Sequence, residues 1–353
     1  MNDNEINDIR KNNEFKGISF SGFKKVDVVK TLMKSIDDNK IEDACYWSAE
    51  LICSCHYIDL WEVIVLYMSK HIHLANPKLA IYINMRYDNF KTILLNGYVD
   101  NEIAMRNNPK IRILFAEIMC VLCISRKNHV LHSIKISPSE FDLSKIQTKL
   151  KAPNTKYASG FIKSNDPKEL FIAINELLYH ISVKDILSSC YWIEWIIEFN
   201  NTCAKNNNDL KCERRAFIPV KESEQMHVIW IIWEICLDKC KDDKYHKKLI
   251  ESLLNLYTMR FSKGVVRRRR FILYLTVSIL LSSTSKTIPV IANPDIITFI
   301  SGKINGIYKQ IKKNEHTPNT DYLFNGVEKT NFDKTIAKLD MMNNNVGFIP
   351  RIN

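Results

Sequence analysis

Lys40-Ile41-Glu42-Asp43-Ala44-Cys45-Tyr46-Trp47 is echoed 145 residues later by Asp185-Ile186-Leu187-Ser188-Ser189-Cys190-Tyr191-Trp192. The same offset, without a gap, lays Val26 on Phe171, Val29 on Ile174, Leu32 on Leu177, Met33 on Leu178 and Ile36 on Ile181. Apolar residues three and four apart share one face of a helix. Two successive helices therefore match in apolar phase and in a Cys-Tyr-Trp signature, which reads as an internal duplication. A looser echo joins Arg112-Ile113-Leu114-Phe115 to Arg270-Phe271-Ile272-Leu273 at an offset of 158. The second copy thus carries extra residues, assigned to the Asn/Lys-rich stretch Asn200 to Lys221, which reads as a loop. Copies of roughly 120 residues exceed the period of ordinary solenoid repeats.

Outward from that hairpin the pattern stays helical. Trp61, Ile64, Val65, Met68 and Ile72 form a second stripe, and Asp59 with Glu62 three residues on reads as a capping box at its start. Asn108-Pro109 opens a helix to about Ser125, with proline at the first helical position. Asp166-Pro167 followed by Glu169 opens another by the same logic. Period-2 runs are short and few. The expected fold is all-α: two related multi-helix bundles, 15–136 and 166–284, joined by a linker at 137–165. A polar tail (1–14) precedes them and a C-terminal arm (285–353) follows. Pro289, Pro294, Gly302, Gly306, Pro318, Gly326, Gly347 and Pro350 concentrate in the arm. One helix, Ile297 to Lys312, is expected there, with extended or disordered chain beyond.

Composition narrows the classes. In 353 residues, 46% are apolar, enough for real cores, and only nine are glycine, against a usual share of about 7%. Few glycines argue against phosphate-cradling loops, turn-rich sandwiches and dinucleotide fingerprints. The ten cysteines sit largely inside apolar runs, as Cys45, Cys120, Cys123, Cys190 and Cys236 do, which fits buried thiols in a reducing, intracellular compartment. The first fourteen residues are polar, unlike a signal peptide. Phe271 to Leu281 is too short for a membrane span of about 20 residues, so no membrane partner is expected. The formal charge of +11 suits a negatively charged partner, although dispersed lysine also serves solubility.

Lys34-Ser35-Ile36-Asp37-Asp38, Asp43-Ala44-Cys45-Tyr46-Trp47-Ser48-Ala49-Glu50-Leu51 and Ser69-Lys70-His71-Ile72-His73-Leu74-Ala75-Asn76-Pro77 follow one another in the first copy. Together they resemble the C-terminal helical domain of MgsA-type AAA+ ATPases, relatives of clamp loaders. The resemblance covers about 70 residues. Lys70 and His71 replace that family's acidic pair, and His73 replaces its glycine. It implies a collar-like oligomerising domain without catalysis. The chain carries no GxxxxGK[ST], whose glycines wrap phosphates and whose lysine reaches them, so no ATPase activity follows from the likeness. In composition and texture the chain also resembles proteins of large DNA viruses.

Other residue patterns carry weaker signals. Cys120-x-x-Cys123 lies mid-helix with His129 and His132 nearby, but no second pair stands at zinc spacing, so buried thiols are expected. Cys53-x-Cys55-His56 reads the same way. Glu50, Glu117, Glu194, Glu198 and Glu234 punctuate apolar helices, and Glu194 and Glu198 share a face. Paired carboxylates suit acid–base work, but a wet stripe or pairing with arginines accounts for them equally. Trp47, Trp61, Trp192, Trp195, Trp230 and Trp233 lie in apolar runs and read as packing rather than base stacking.

The sharpest functional signal is basic. Arg267-Arg268-Arg269-Arg270 follows Arg260 and Lys263, with Lys244, Lys247 and Lys248 one helix earlier. Residues 201–270 carry 16 Lys+Arg against 9 Asp+Glu, a net of +7. Four consecutive arginines on a helix sweep about 300°. At least one must therefore point into the body, where it needs a carboxylate. The others suit phosphates. No cofactor, metal or catalytic residue is expected. The expected function is a non-enzymatic scaffold or assembly factor in DNA replication or repair, oligomerising through collar-like domains and touching nucleic acid or an acidic protein. A virion structural protein and an adaptor for RNA or translation factors are the alternatives.

Overall fold

The computed structural model describes residues 4–128 and 132–316. Among them there are helices and loops but no strand, only an isolated bridge between Ile18 and Lys24. The first half runs α1 (Lys25–Asp37), α2 (Ile41–Cys53), α3 (Tyr57–Leu66), α4 (Leu79–Leu95) and α5 (Pro109–Ile124). The second runs α6 (Leu143–Lys149), α7 (Phe171–Ser182), α8 (Ile186–Lys205), α9 (Ile229–Lys239), α10 (Lys244–Tyr257), α11 (Arg270–Leu281) and α12 (Pro294–Lys312). No helix among the described residues is long and apolar enough to cross a membrane.

The two hairpins turn alike. Asn39 and Lys184 both take positive φ, 58° and 60°. Asp38 and Val183 N–H donate to Lys34 and Tyr179 O, and Lys40 and Asp185 N–H donate to Ser35 and His180 O, both at 2.9 Å. Each of these pairs is 145 residues apart. The stretch Asn200 to Lys221 is not all loop: α8 is two turns longer than α2, so the stretch begins as helix. The α1 face also differs from the expected stripe. Val26 is 61% exposed, Val29 and Met33 are half-buried, and Val28, Leu32 and Ile36 carry the contact.

Two expected helix starts have other jobs. Helix α3 begins at Tyr57, ahead of Asp59, and Asp59 accepts from Lys25 Nζ at 2.8 Å. Asp166 accepts backbone N–H groups from Lys163 and Glu213, both at 2.9 Å, and a 3-10 turn (Lys168–Leu170) separates it from α7. Asn108 does cap its helix, accepting from Lys110 N–H at 2.8 Å with Pro109 next. The expected stripe from Trp61 to Ile72 is buried, but its last turn, Tyr67–Ile72, is a wide π-helical one. It ends at His73, whose φ of 50° is a glycine-favouring value.

Among the described residues, 4–6 and 10–315 form one compact unit, so 15–136, 137–165 and 166–284 share a single body. Helix α4 packs on α10, and α11 packs on the Tyr67–Ile72 turn. The 137–165 stretch is docked rather than bare. Glu140 accepts from Tyr191 Oη at 2.7 Å, and buried Glu176 accepts from the N–H groups of Lys151 and Ala152. The expected arm begins with α12, which buries Ile300, Ile304, Tyr308 and Ile311 against α2 and α5. The rest of it, 317–353, lies outside the described residues. Among the described residues, 7–9 and 316 belong to a second unit, in which Ile9 N–H donates to His316 O at 3.1 Å.

Histidine burial gives the fold an acid sensitivity. His227 is 7% exposed and its Nδ1 accepts the Ile229 N–H at 3.2 Å, at the start of α9. Burial, then the Lys263 charge, push its pKa down to about 4. The unfolded chain takes that proton near 6.5, so stability is full above this pH and falls on acidification to about 4. The slope from one such group is at most about 1.4 kcal/mol per pH unit. His227→Asn retains an acceptor without titrating, so urea unfolding across this window should show a shallower pH dependence in the variant.

Candidate functional site

The basic segment is not one helical surface. Only Arg270 lies in α11; Arg267, Arg268 and Arg269 form the turn before it. Each still points a different way, and most find carboxylates. Arg269 is 2% exposed; its Nη2 and Nε donate to Glu62 Oε1 at 2.5 and 3.1 Å and its Nη1 to Tyr257 O at 2.6 Å. Arg267 grips Glu198 with two bonds, Nε to Oε1 at 2.9 Å and Nη2 to Oε2. Arg270 Nη1 lies 3.2 Å from Glu194 Oε2, and its Nε donates to Arg267 O at 2.8 Å. Glu194 is buried, and burial holds its carboxyl above the usual range although Arg270 opposes the shift.

The same holds upstream. Arg260 Nη2 donates to Glu102 Oε1 at 3.1 Å, and Lys263 pairs with Asp209. Two of these contacts, Arg269 with Glu62 and Arg260 with Glu102, tie the second half of the chain to the first. Lys247 stands 4.0 Å from Glu251 on the same helix face. Arg268, Lys244 and Lys248 are exposed and make no ion pair among the described residues. Lys244 opens α10 and Arg260 follows its end, about 20 Å away along a 14-residue helix. The nine predicted residues thus fall into two separate places.

The punctuating glutamates find partners as well. Glu50 is fully buried and accepts from Ser21 N–H at 3.0 Å and Ser21 Oγ at 2.5 Å, and Glu117 pairs with Arg86. Glu234 accepts from Arg215 Nε at 3.0 Å. Arg215 also forks onto Asp166, at 2.5 and 2.7 Å, with both side chains almost wholly buried. Burial works against that carboxylate, but the Arg215 bonds and the N–H groups of Lys163 and Glu213 together outweigh it and hold Asp166 below the usual range. This triad was not expected from the sequence. Its one sequence signal is Arg214-Arg215, within the stretch Asn200 to Lys221 that reads as loop.

All ten cysteines are free thiols. Burial pushes Cys123 up to about 12, and Cys45 is raised by its contact with Cys120 and by burial. His129 lies outside the described residues, and among those described no three His, Cys, Asp or Glu side chains are grouped to hold a metal. Trp61, Trp192, Trp230 and Trp233 are fully buried; Trp47 is half-buried, with Phe23 and Tyr46 edge-on at 5.6 and 5.2 Å.

Beside Arg260 opens a cleft of about 200 Å³ that sequence reasoning missed. The turn at Cys55 and His56, the first turns of α3, the α4 residues Tyr87 and Phe90, and Glu102 wall it. Cys55 takes φ 61° where α2 ends, and burial followed by the Glu102 charge pushes its thiol up to about 12. His56 Nε2 lies 2.7 Å from Ile18 O, the donor-to-carbonyl contact that fixes the ring. Comparison with protein-family models, curated proteins and solved structures finds no match for the chain.

The pairing sorts the arginines by what they support. Replacing Arg269 with alanine strands Glu62 in a mostly buried place and should cost about 3 kcal/mol in urea unfolding. Replacing Arg268 should change stability by no more than about 0.5 kcal/mol.

Proposed function

We propose that the protein is a non-enzymatic helical scaffold that holds nucleic acid by its phosphates, through Arg268 and the lysines that open α10. The observation that carries this reading is selective pairing. Of nine clustered cations, Arg268, Lys244 and Lys248 are the exposed ones without an intramolecular carboxylate among the described residues. Lys70 adds to the first place: its Nζ stands 5.1 Å from the ring of Phe271, three residues after Arg268. Exposed cations on a fixed framework suit a phosphate backbone, which needs charge and position rather than a pocket.

The paired arginines act in this reading as fasteners. Arg269 with Glu62 and Arg260 with Glu102 fasten the second half to the first. The matching hairpin turns and the packing of α4 on α10 support descent of the halves from one duplicated bundle. The collar resemblance supplies the setting, an assembly factor in DNA replication or repair that works as an oligomer.

The test is binding of a fluorescent DNA duplex at several salt concentrations. Charge reversal at Lys244, Lys248 and Arg268 together should weaken binding. It should also flatten the plot of log affinity against log salt by up to about three units of slope. Salt-insensitive binding, or a variant that binds like the parent, would sink the proposal.

A further inference from the structure

We propose that Asn96-Gly97, where α4 ends, is a self-modifying site: the Gly97 nitrogen attacks the Asn96 carboxamide and converts it, through a cyclic imide, to aspartate and isoaspartate. The helix end itself installs the pair. Asn96 caps α4 with φ −85° and ψ 51°, and Gly97 follows at φ 107°, in the left-handed region that favours glycine. Glycine also leaves its nitrogen unshielded. A methyl group placed on Gly97 would meet no atom within 4 Å, so the turn has open space around the nucleophile.

The chain holds three such pairs, Asn96-Gly97, Asn305-Gly306 and Asn325-Gly326, the last outside the described residues. Asn96 and Asn305 are both exposed, so access to water does not separate them. Hydrogen bonding does. The Gly97 N–H and the Asn96 carboxamide have no hydrogen-bond partner among the described residues. Turning Asn96 ψ toward attack opens one local bond, Tyr98 N–H to Leu94 O at 3.0 Å. Gly306 lies inside α12, where the helical ladder takes its N–H. Asn305 Oδ1 also accepts from the buried Arg112 Nη1 at 3.3 Å. Rotation at Asn305 would break the ladder on both sides.

The step balances without an outside oxidant or reductant. The bond from Gly97 N to Asn96 Cγ forms, the Cγ–N bond of the carboxamide breaks, and the amide proton leaves with the nitrogen as ammonia. One water then opens the imide. Cleavage at Cγ gives aspartate, and cleavage at the main-chain carbonyl gives isoaspartate. Either product adds a negative charge. Isoaspartate also lengthens the main chain by one carbon between α4 and Tyr98, whose hydroxyl accepts from Asn108 Nδ2 at 3.1 Å, beside the start of α5.

Incubation of the full chain in weakly alkaline buffer, followed by proteolysis and mass spectrometry, tests the site. The peptide holding position 96 should become heavier by the difference between a hydroxyl and an amino group. It should also become a substrate for an isoaspartate carboxyl methyltransferase supplied with labelled methyl donor. The peptide holding position 305 should stay unchanged in the folded chain and convert at a rate like that of 96 in urea. Asn96→Gln, which would need a larger ring, should abolish both signals at 96. No product at 96 in the folded chain, Asn305 keeping pace with it there, or signals that survive Asn96→Gln would each overturn the proposal.

Discussion

A guanidinium cannot enter a protein interior alone, and the body of this molecule is arranged around that constraint. Arg269, Arg215 and Arg112 are each at most 4% exposed. Arg269 reaches back to Glu62, Arg215 forks onto Asp166 and touches Glu234, and Arg112 donates to Arg106 O and Asn4 O while lying 4.1 Å from the Tyr308 ring. Each joins segments far apart in sequence. Arg112 alone gathers the N-terminal strand of chain, α5 and α12. Replacing such groups by apolar ones of like size is often tolerated, whereas removing one partner is not. Their geometric specificity is what separates one packing of greasy helices from another.

That constraint changes the meaning of a basic run. Read as composition, net +7 over 70 residues promises a surface for polyanions. In the folded chain Arg260, Arg267, Arg269 and Arg270 are answered at 2.5–3.2 Å by carboxylates drawn from α3, α8 and the turn before α5. The carboxylates are remote in sequence, so a local charge count never meets them. Of the nine clustered cations, three exposed side chains in two places remain without a carboxylate among the described residues.

The helices themselves were legible because their signals are local. Asn108-Pro109 announces α5 through a cap that needs only neighbouring N–H groups, and the hairpin of α1 and α2 shares its apolar phase and its turn with α7 and α8. The misreadings also have local causes. Asp59 and Asp166 look like caps because an aspartate three residues before a glutamate satisfies the rule, yet each side chain was claimed by a distant cation. Val26 fits a stripe drawn from spacing alone, but the rotation of α1 on α2 is set by tertiary packing. The insertion after Asn200 carries polar residues that read as loop, while α8 runs on through its first turn because Trp195 and Phe199 stack at 4.8 Å and anchor that end against Phe141. The cleft escaped notice because its lining comes from four segments, none with a motif.

Helix α12 lies far from α2 and α5 in the sequence and closes over both. A fragment stopped near residue 284 would lose the cover supplied by Ile300, Ile304, Tyr308 and Ile311 and would carry a raw greasy flank into solution. A fragment begun near residue 137 would lack Glu62, leaving the guanidinium of Arg269 stranded. Laboratory dissection into halves would therefore yield sticky pieces.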